Sequence, residues 1–180
     1  GDWSSDVCSS DLVHMSDPFA TAAAAAAVTS TIKIGTGICL VIQHDPIALA
    51  KTVATVDQIS NGRFLFGVGA GWNKEEMENH GTPYEKRWKV LEERVKAMKA
   101  IWTEEEASFH GDWVNFDRIW SYPKPVQQPH PPVILGTFGS KWGRQRVAEY
   151  GDGWIPIGLM HEDLMADVED LNQRLEAEGR

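Results

Sequence analysis

Cysteine is scarce in this chain, two residues in 180, and neither Cys8 nor Cys39 has a partner at a spacing that holds a metal or builds a disulfide framework. A zinc centre and a disulfide scaffold therefore have no basis, and Cys39, set in an apolar run, reads as a reduced core thiol in a cytoplasmic protein. Basic residues are also few, 17 against 26 acidic ones, for a formal net charge of −9 and a pI near 5.1. Phosphate backbones are held by concentrated Lys and Arg, so a nucleic-acid partner is not expected. Long apolar runs are missing too: the alanine stretch Ala22–Ala27 falls well short of the roughly 18 residues of a bilayer span, so no membrane partner is expected either. No His-Glu-x-x-His pair and no Gly-x-Ser-x-Gly elbow occur, which leaves zinc and serine hydrolysis without a foothold.

What is present is a regular alternation of elements, beginning near residue 13. Residues 1–12 differ from the rest: SSDV and SSDL echo one another around Cys8, without amphipathic period, and read as foreign sequence resembling translated adapter, with a disordered native terminus as the alternative. An alanine-rich helix is predicted over Phe19–Val28 and a strand over Ile32–Ile42, with Gly35 and Gly37 marking a bend or close approach within it. Asp45-Pro46 starts a helix, whose apolar surface is drawn from Ile47, Leu49, Ala50, Val53, Ala54, Val56 and Ile59, and Asn61-Gly62 stops it. A short buried strand, Arg63–Val68, comes next. Asp57 and Arg63, either side of that stop, are expected to pair or cap there.

Thr82-Pro83-Tyr84-Glu85 has the form of a capping box, and Tyr84, Trp88, Leu91, Val95, Met98 and Trp102 then share one helical face. An aromatic, proline-rich excursion over Phe109–Pro132 leads to a third strand at Val133–Leu135, a helix over Ser140–Tyr150, a fourth strand at Trp154–Ile157 and a last helix carrying Leu164, Val168, Leu171 and Leu175. Strands separated by helices give a parallel sheet, either open and doubly wound or curled into a barrel.

The glycines bear on that choice. Gly67-Val68-Gly69-Ala70-Gly71 superficially resembles a dinucleotide loop, but the fingerprint needs glycine where Trp72 stands and an acid about 20 residues on at a strand tip, where a helix is predicted instead. An open-sheet nucleotide-binding domain thus remains a minor alternative. In a (β/α)8 barrel the same glycines, with Gly35, Gly37, Gly136 and Gly139, gather at strand ends that converge on one face, where side-chain-free backbone admits a planar ring. Each one also reads as a residue that merely relaxes a tight turn.

The ordered run Asp45-Pro46, Ala50-Lys51, Ala54-Thr55, Asp57, Ser60, Gly62-Arg63, Gly67–Trp72 with Glu75 and Glu76, then Lys124-Pro125, Pro131-Pro132, Ala148-Glu149 and Gly151-Asp152-Gly153-Trp154, resembles the luciferase-like monooxygenases over roughly residues 17–160. The resemblance implies a partial TIM barrel, truncated at both ends because such barrels run to about 250 residues, and one domain over residues 13–180. It implies an oxidoreductase using coenzyme F420, the preferred choice, or FMN, on a small-molecule substrate, with the parent protein a homodimer. A ring-binding barrel without catalysis is the alternative. The resemblance also places a non-prolyl cis peptide at Gly37-Ile38 behind the ring, lines the cofactor pocket with Ala70, Gly71 and Trp72, and sets Gly136, Thr137, Phe138 and Gly139 in a loop whose N–H groups hold the cofactor phosphate. His44, on the same face, becomes a candidate ring or substrate contact, with an exposed loop histidine as the alternative. The catalytic acid or base is left unassigned, and no metal is implied.

Overall fold

The computed structural model describes residues 16–158 and 161–179, so the reading of residues 1–12 lies outside the described residues. Helix α1 (Pro18–Val28) starts where Asp17 Oδ1 accepts the Ala20 N–H at 2.7 Å, with proline in the first turn, where the helix needs no donor. Phe19, Ala22 and Ala26 form its buried face. The predicted strand Ile32–Ile42 is broken. Only β1 (Ile34–Gly35) and β2 (Cys39–Leu40) pair in the sheet, the Gly37-Ile38 bond between them is cis, and Val41–Gln43 forms a 3-10 turn.

Helix α2 (Pro46–Ser60) begins and ends as its sequence predicts: Asp45 Oδ1 accepts the Ala48 N–H at 2.8 Å, and Asn61 turns left-handed with φ 54°. Ile59, assigned to its apolar surface, is 46 % exposed instead. Strand β3 (Phe64–Gly69) is buried almost throughout, as a strand covered on both faces must be. The polar connection after it holds a short helix, α3 (Lys74–Asn79), capped by Asn73 with Glu75 and Glu76 in its first turn, where carboxylates oppose the positive end of the helix dipole.

The expected capping box does not form. Thr82 is buried and its hydroxyl donates to the Ile42 carbonyl at 2.8 Å, so it serves a tertiary contact and not the helix end. Tyr84–Lys86 is a 3-10 turn, and α4 (Arg87–Thr103) follows it. Leu91, Val95, Met98 and Trp102 are buried, while Tyr84 and Trp88 pack partly buried against the core. The aromatic excursion contains an antiparallel hairpin, β4 (Ala107–His110) and β5 (Asn115–Ile119), tied to α4 by Glu93, whose carboxylate accepts the N–H groups of Asp112, Trp113 and Val114.

Strand β6 (Val133–Phe138) runs three residues further than predicted and leads through the Ser140 cap into α5 (Lys141–Tyr150). Strand β7 (Gly153–Ile157) and helix α6 (His161–Ala177) complete the described chain. The sheet is parallel in the order β1, β3, β6, β7, with β2 also on β3. Its core is Phe64, Phe66 and Val68 of β3 and Val133 and Leu135 of β6, all fully buried. Each such side chain contributes about 1.5–3 kcal/mol on leaving water.

Of the two outcomes expected for Asp57 and Arg63, pairing or capping, Arg63 takes the second, its Nε–H donating to the Ser60 carbonyl at 2.7 Å at the end of α2. Asp57 and Arg63 do not pair. Asp57 is fully buried and accepts the N–H groups of Val126 and Gln127 at 2.8 and 3.0 Å and the Gln127 side-chain amide at 2.7 Å, anchoring the proline-rich excursion. The Arg63 guanidinium donates to the carbonyls of Ala26, Thr29, Ile32 and Ser60, and so satisfies the free end of α1.

Candidate functional site

The site begins as a packing problem on β3. A side chain at Gly67 would collide with the Thr36 carbonyl, and the Thr36 hydroxyl donates to the Gly67 carbonyl at 2.6 Å, so the bulge between β1 and β2 is pressed directly onto bare backbone. Ile38, the next residue but one, lays its side chain across two strands. A Cβ at Gly69 would collide with the Ile38 side chain, and one at Gly136 would lie 2.8 Å from Ile38 Cγ2. The glycines at the strand tips are therefore filled by Thr36 and Ile38. This corrects the expectation that they leave backbone bare for a ring; what stands there is the half-buried Ile38 side chain, with Gly37 exposed and nothing within 4 Å of where its Cβ would be.

Register brings the tips together. Leu40 of β2 aligns with Gly69 of β3, Val68 with Leu135 of β6, and Gly136 with Ile155 of β7. Beyond β3, Ala70 is buried and Gly71 takes φ +72°, a conformation that suits glycine, packed against Leu40 and Met77. Trp72 stands out at 57 % exposure.

The second expected loop is not a loop. Gly136, Thr137 and Phe138 belong to β6 and align with Ile155, Pro156 and Ile157 of β7, while the pairing of β6 with β3 ends at Leu135. The Thr137 carbonyl accepts the Trp154 indole N–H at 3.0 Å, and the Thr137 side chain is buried. Gly139 alone of the four lies past the strand, its carbonyl taken by Arg144, whose guanidinium also pairs with Asp167 and Asp170.

Gly37, Ile38 and His44 line a groove of about 830 Å³ between α1 and the bulged sheet edge; the residues of the two later tips do not line it, and Ile38 is the member common to both regions. His44 is half-buried, its ring edge-on to Phe19 with centroids 6.4 Å apart. Burial, and after it the nearby His80 and Arg94, push the imidazole below its ordinary pKa, against an opposing pull from Asp17. His44 is thus held neutral at neutral pH and able to donate one hydrogen bond and accept another. Thr36 was not anticipated; a threonine flanked by two glycines inside an apolar run was its only trace. Lys124 and Asp152, prominent in the motif run, serve structure: Lys124 donates to the carbonyls of Ile101 and Glu104 at the end of α4, and Asp152 accepts the Val133 N–H at 2.9 Å at the start of β6.

A parallel sheet wrapped by its own crossover helices, with a bulge and a side-chain platform where neighbouring strand tips meet, defines a (β/α)8-type barrel wall whose working face lies at the strand C-termini. The chain belongs to the luciferase-like monooxygenase family, whose model matches residues 2–180. It is 47 % identical over 139 residues to an uncharacterized protein of Mycobacterium tuberculosis, covering 77 % of this chain and 49 % of that protein. It is 35 % identical over 137 residues to the FMNH(2)-dependent dimethylsulfone monooxygenase of Pseudomonas putida, covering 74 % of this chain and 38 % of the relative. Among solved structures, monooxygenase RslO1 from Streptomyces bottropensis superposes with a TM-score of 0.82 at 27 % identity over 91 % of this chain and 50 % of that one. An F420-dependent secondary alcohol dehydrogenase in complex with an F420-acetone adduct superposes with a TM-score of 0.76 at 25 % identity over 89 % and 50 %. The chain thus spans about half the length of the relatives it matches. Among the described residues no helix is long and apolar enough to cross a membrane.

Proposed function

We propose that the protein to which this chain belongs is a two-electron oxidoreductase acting on a small-molecule substrate with a flavin-type ring, and that this chain supplies the platform behind the ring. The observation that carries the reading is Ile38, seated on the bare backbone of Gly69 and Gly136 at the working face and left partly exposed as an apolar wall of the groove. Such a surface fits the flat, apolar middle of FMN or of coenzyme F420. The ring, when bound, supplies the hydride.

The chain's own residues bind and orient. Ile38 excludes water from one ring face, and Thr36 fixes the height of Ile38 through its bond to the Gly67 carbonyl. Gly37 leaves space beside it, and the family resemblance adds Ala70, Gly71 and Trp72 after β3 and Gly136, Thr137, Phe138 and Gly139 at the end of β6 as cofactor contacts, outside the groove that Gly37, Ile38 and His44 line. Neutral His44 is placed to hold or pass a proton through its ring nitrogens. The motif run favours F420, and the 35 % identity to an FMNH(2)-dependent monooxygenase supports FMN as the second reading.

Titration of the intact parent protein with F420 and with reduced FMN, followed by fluorescence, tests this. One of the two binds, and Ile38→Ala weakens it about tenfold, the equivalent of about 1.4 kcal/mol. Failure of both to bind overturns the reading. Binding without oxidation or reduction of any small-molecule substrate would favour a barrel that holds the ring without catalysis.

A further inference from the structure

Apart from the platform, a further open-sided pocket of about 350 Å³ lies between the Val41–Gln43 turn, the start of α2, helix α4 and the tip of the hairpin. Its polar lining is rich in donors. Arg94 crosses from α4 and donates through Nη1 to the Val41 carbonyl at 3.0 Å; among the described residues no carboxylate lies within ion-pair distance of it, and its buried Nε has no acceptor. The Gln43 side-chain N–H group is likewise buried without one. Two imidazoles, His44 and His80, share the lining. One carboxylate, Asp45, also lines the pocket and acts on Arg94 beyond ion-pair distance, its Oδ1 committed to capping α2 through the Ala48 N–H.

A half-buried guanidinium without a counter-charge is costly, because burial removes its water and nothing replaces the lost interaction. Arg94 shows that cost as a pKa pushed down by burial, only partly offset by Asp45. Asn115 brings a neutral amide to the pocket and donates one of its N–H bonds to the Gly111 carbonyl. A surplus of N–H donors around one fixed cation, in a space large enough for several heavy atoms, is the chemistry of an anion site. We propose that this pocket binds a small oxyanion, a carboxylate or a phosphate group, with Arg94 as its charged partner and His80 as its outer donor. The oxidoreductase reading does not use Arg94 or His80, the two donors on which the test turns, while Gln43 and His44 line both this pocket and the groove beside Ile38.

The test is calorimetric titration of the full 180-residue chain with inorganic phosphate and, separately, with acetate. Saturable binding of either supports the site and names the source of the oxyanion. Arg94→Met then weakens that binding at least about tenfold, as loss of a charge-assisted hydrogen bond does. Arg94→Lys retains part of it, and His80→Ala, at an exposed position, gives a smaller loss with the near-UV spectrum unchanged. Should Arg94→Met fail to fold, Arg94→Lys and His80→Ala decide. Absence of binding by the unaltered chain, or affinities in the folded variants equal to it, overturns the proposal.

Discussion

At Gly67 the backbone of β3 passes so close to Thr36 that no side chain fits, whereas Gly37, one residue further along the bulge, faces open space. Two alanine substitutions separate these roles. Gly67→Ala forces backbone against backbone and lowers stability by about 3 kcal/mol or more, while Gly37→Ala stays within about 0.5 kcal/mol, as urea denaturation midpoints will show. Cys39 provides a second test at this scale. Burial, reinforced by Asp17, pushes its thiol from the ordinary 9.0 up to about 12. The folded chain therefore keeps the proton where the unfolded chain has lost it. This contribution is complete below pH 9.0 and is lost as pH rises toward about 12. In a Cys8→Ser background, Cys39 should resist a thiol-specific disulfide reagent at pH 8 until denaturant is added, and rapid reaction of the native protein would contradict its burial.

Among the elements, α6 is joined to its neighbour by charge as well as by its apolar face. Arg144 of α5 pairs with Asp167 and Asp170 of α6, and Asp170 also takes Arg174 from its own helix. Hydrogen bonds from Arg174 and Arg144 hold the Asp170 carboxyl at about 2, below the ordinary 3.8. The contribution of this charged contact is thus complete above pH 3.8 and is lost as pH falls through about 2, leaving Leu171 and Leu175 to hold the helix. Helical circular dichroism should drop over that interval, and Asp170→Asn should flatten the change. Elements whose signals are local were legible from sequence: α2 is bounded by Asp45-Pro46 and Asn61-Gly62 because capping and left-handed turns act within a few residues. The break between β1 and β2 was legible in its place, from Gly35, Gly37 and the expected cis bond at Gly37-Ile38, but not in its packing, since alternating isoleucines look the same in a straight strand and a bulged one. The space that permits the bulge is created on β3 and β6, far off in sequence. Thr82 misled for the same reason, its hydroxyl being drawn to Ile42, 40 residues away. Likewise the strand-tip glycines were legible as a site, but their occupants Thr36 and Ile38 became visible only in three dimensions.

Over the whole molecule, the described sheet runs from β1 to β7 without joining its ends, and each end strand has one described neighbour. Unpaired strand edges recruit other chains. The 180-residue chain by itself should therefore self-associate, with a sedimentation coefficient that climbs with protein concentration; a single concentration-independent monomer would show that the edges are protected.

The interlock at the strand tips has a consequence for descent. Thr36 and Ile38 occupy room that Gly67, Gly69 and Gly136 provide, so these five positions cannot drift separately. A relative that gains a methyl group at 69 or 136 must trim residue 38 in compensation, and a chimera that exchanges one of these segments without its counterparts will inherit a mismatched joint.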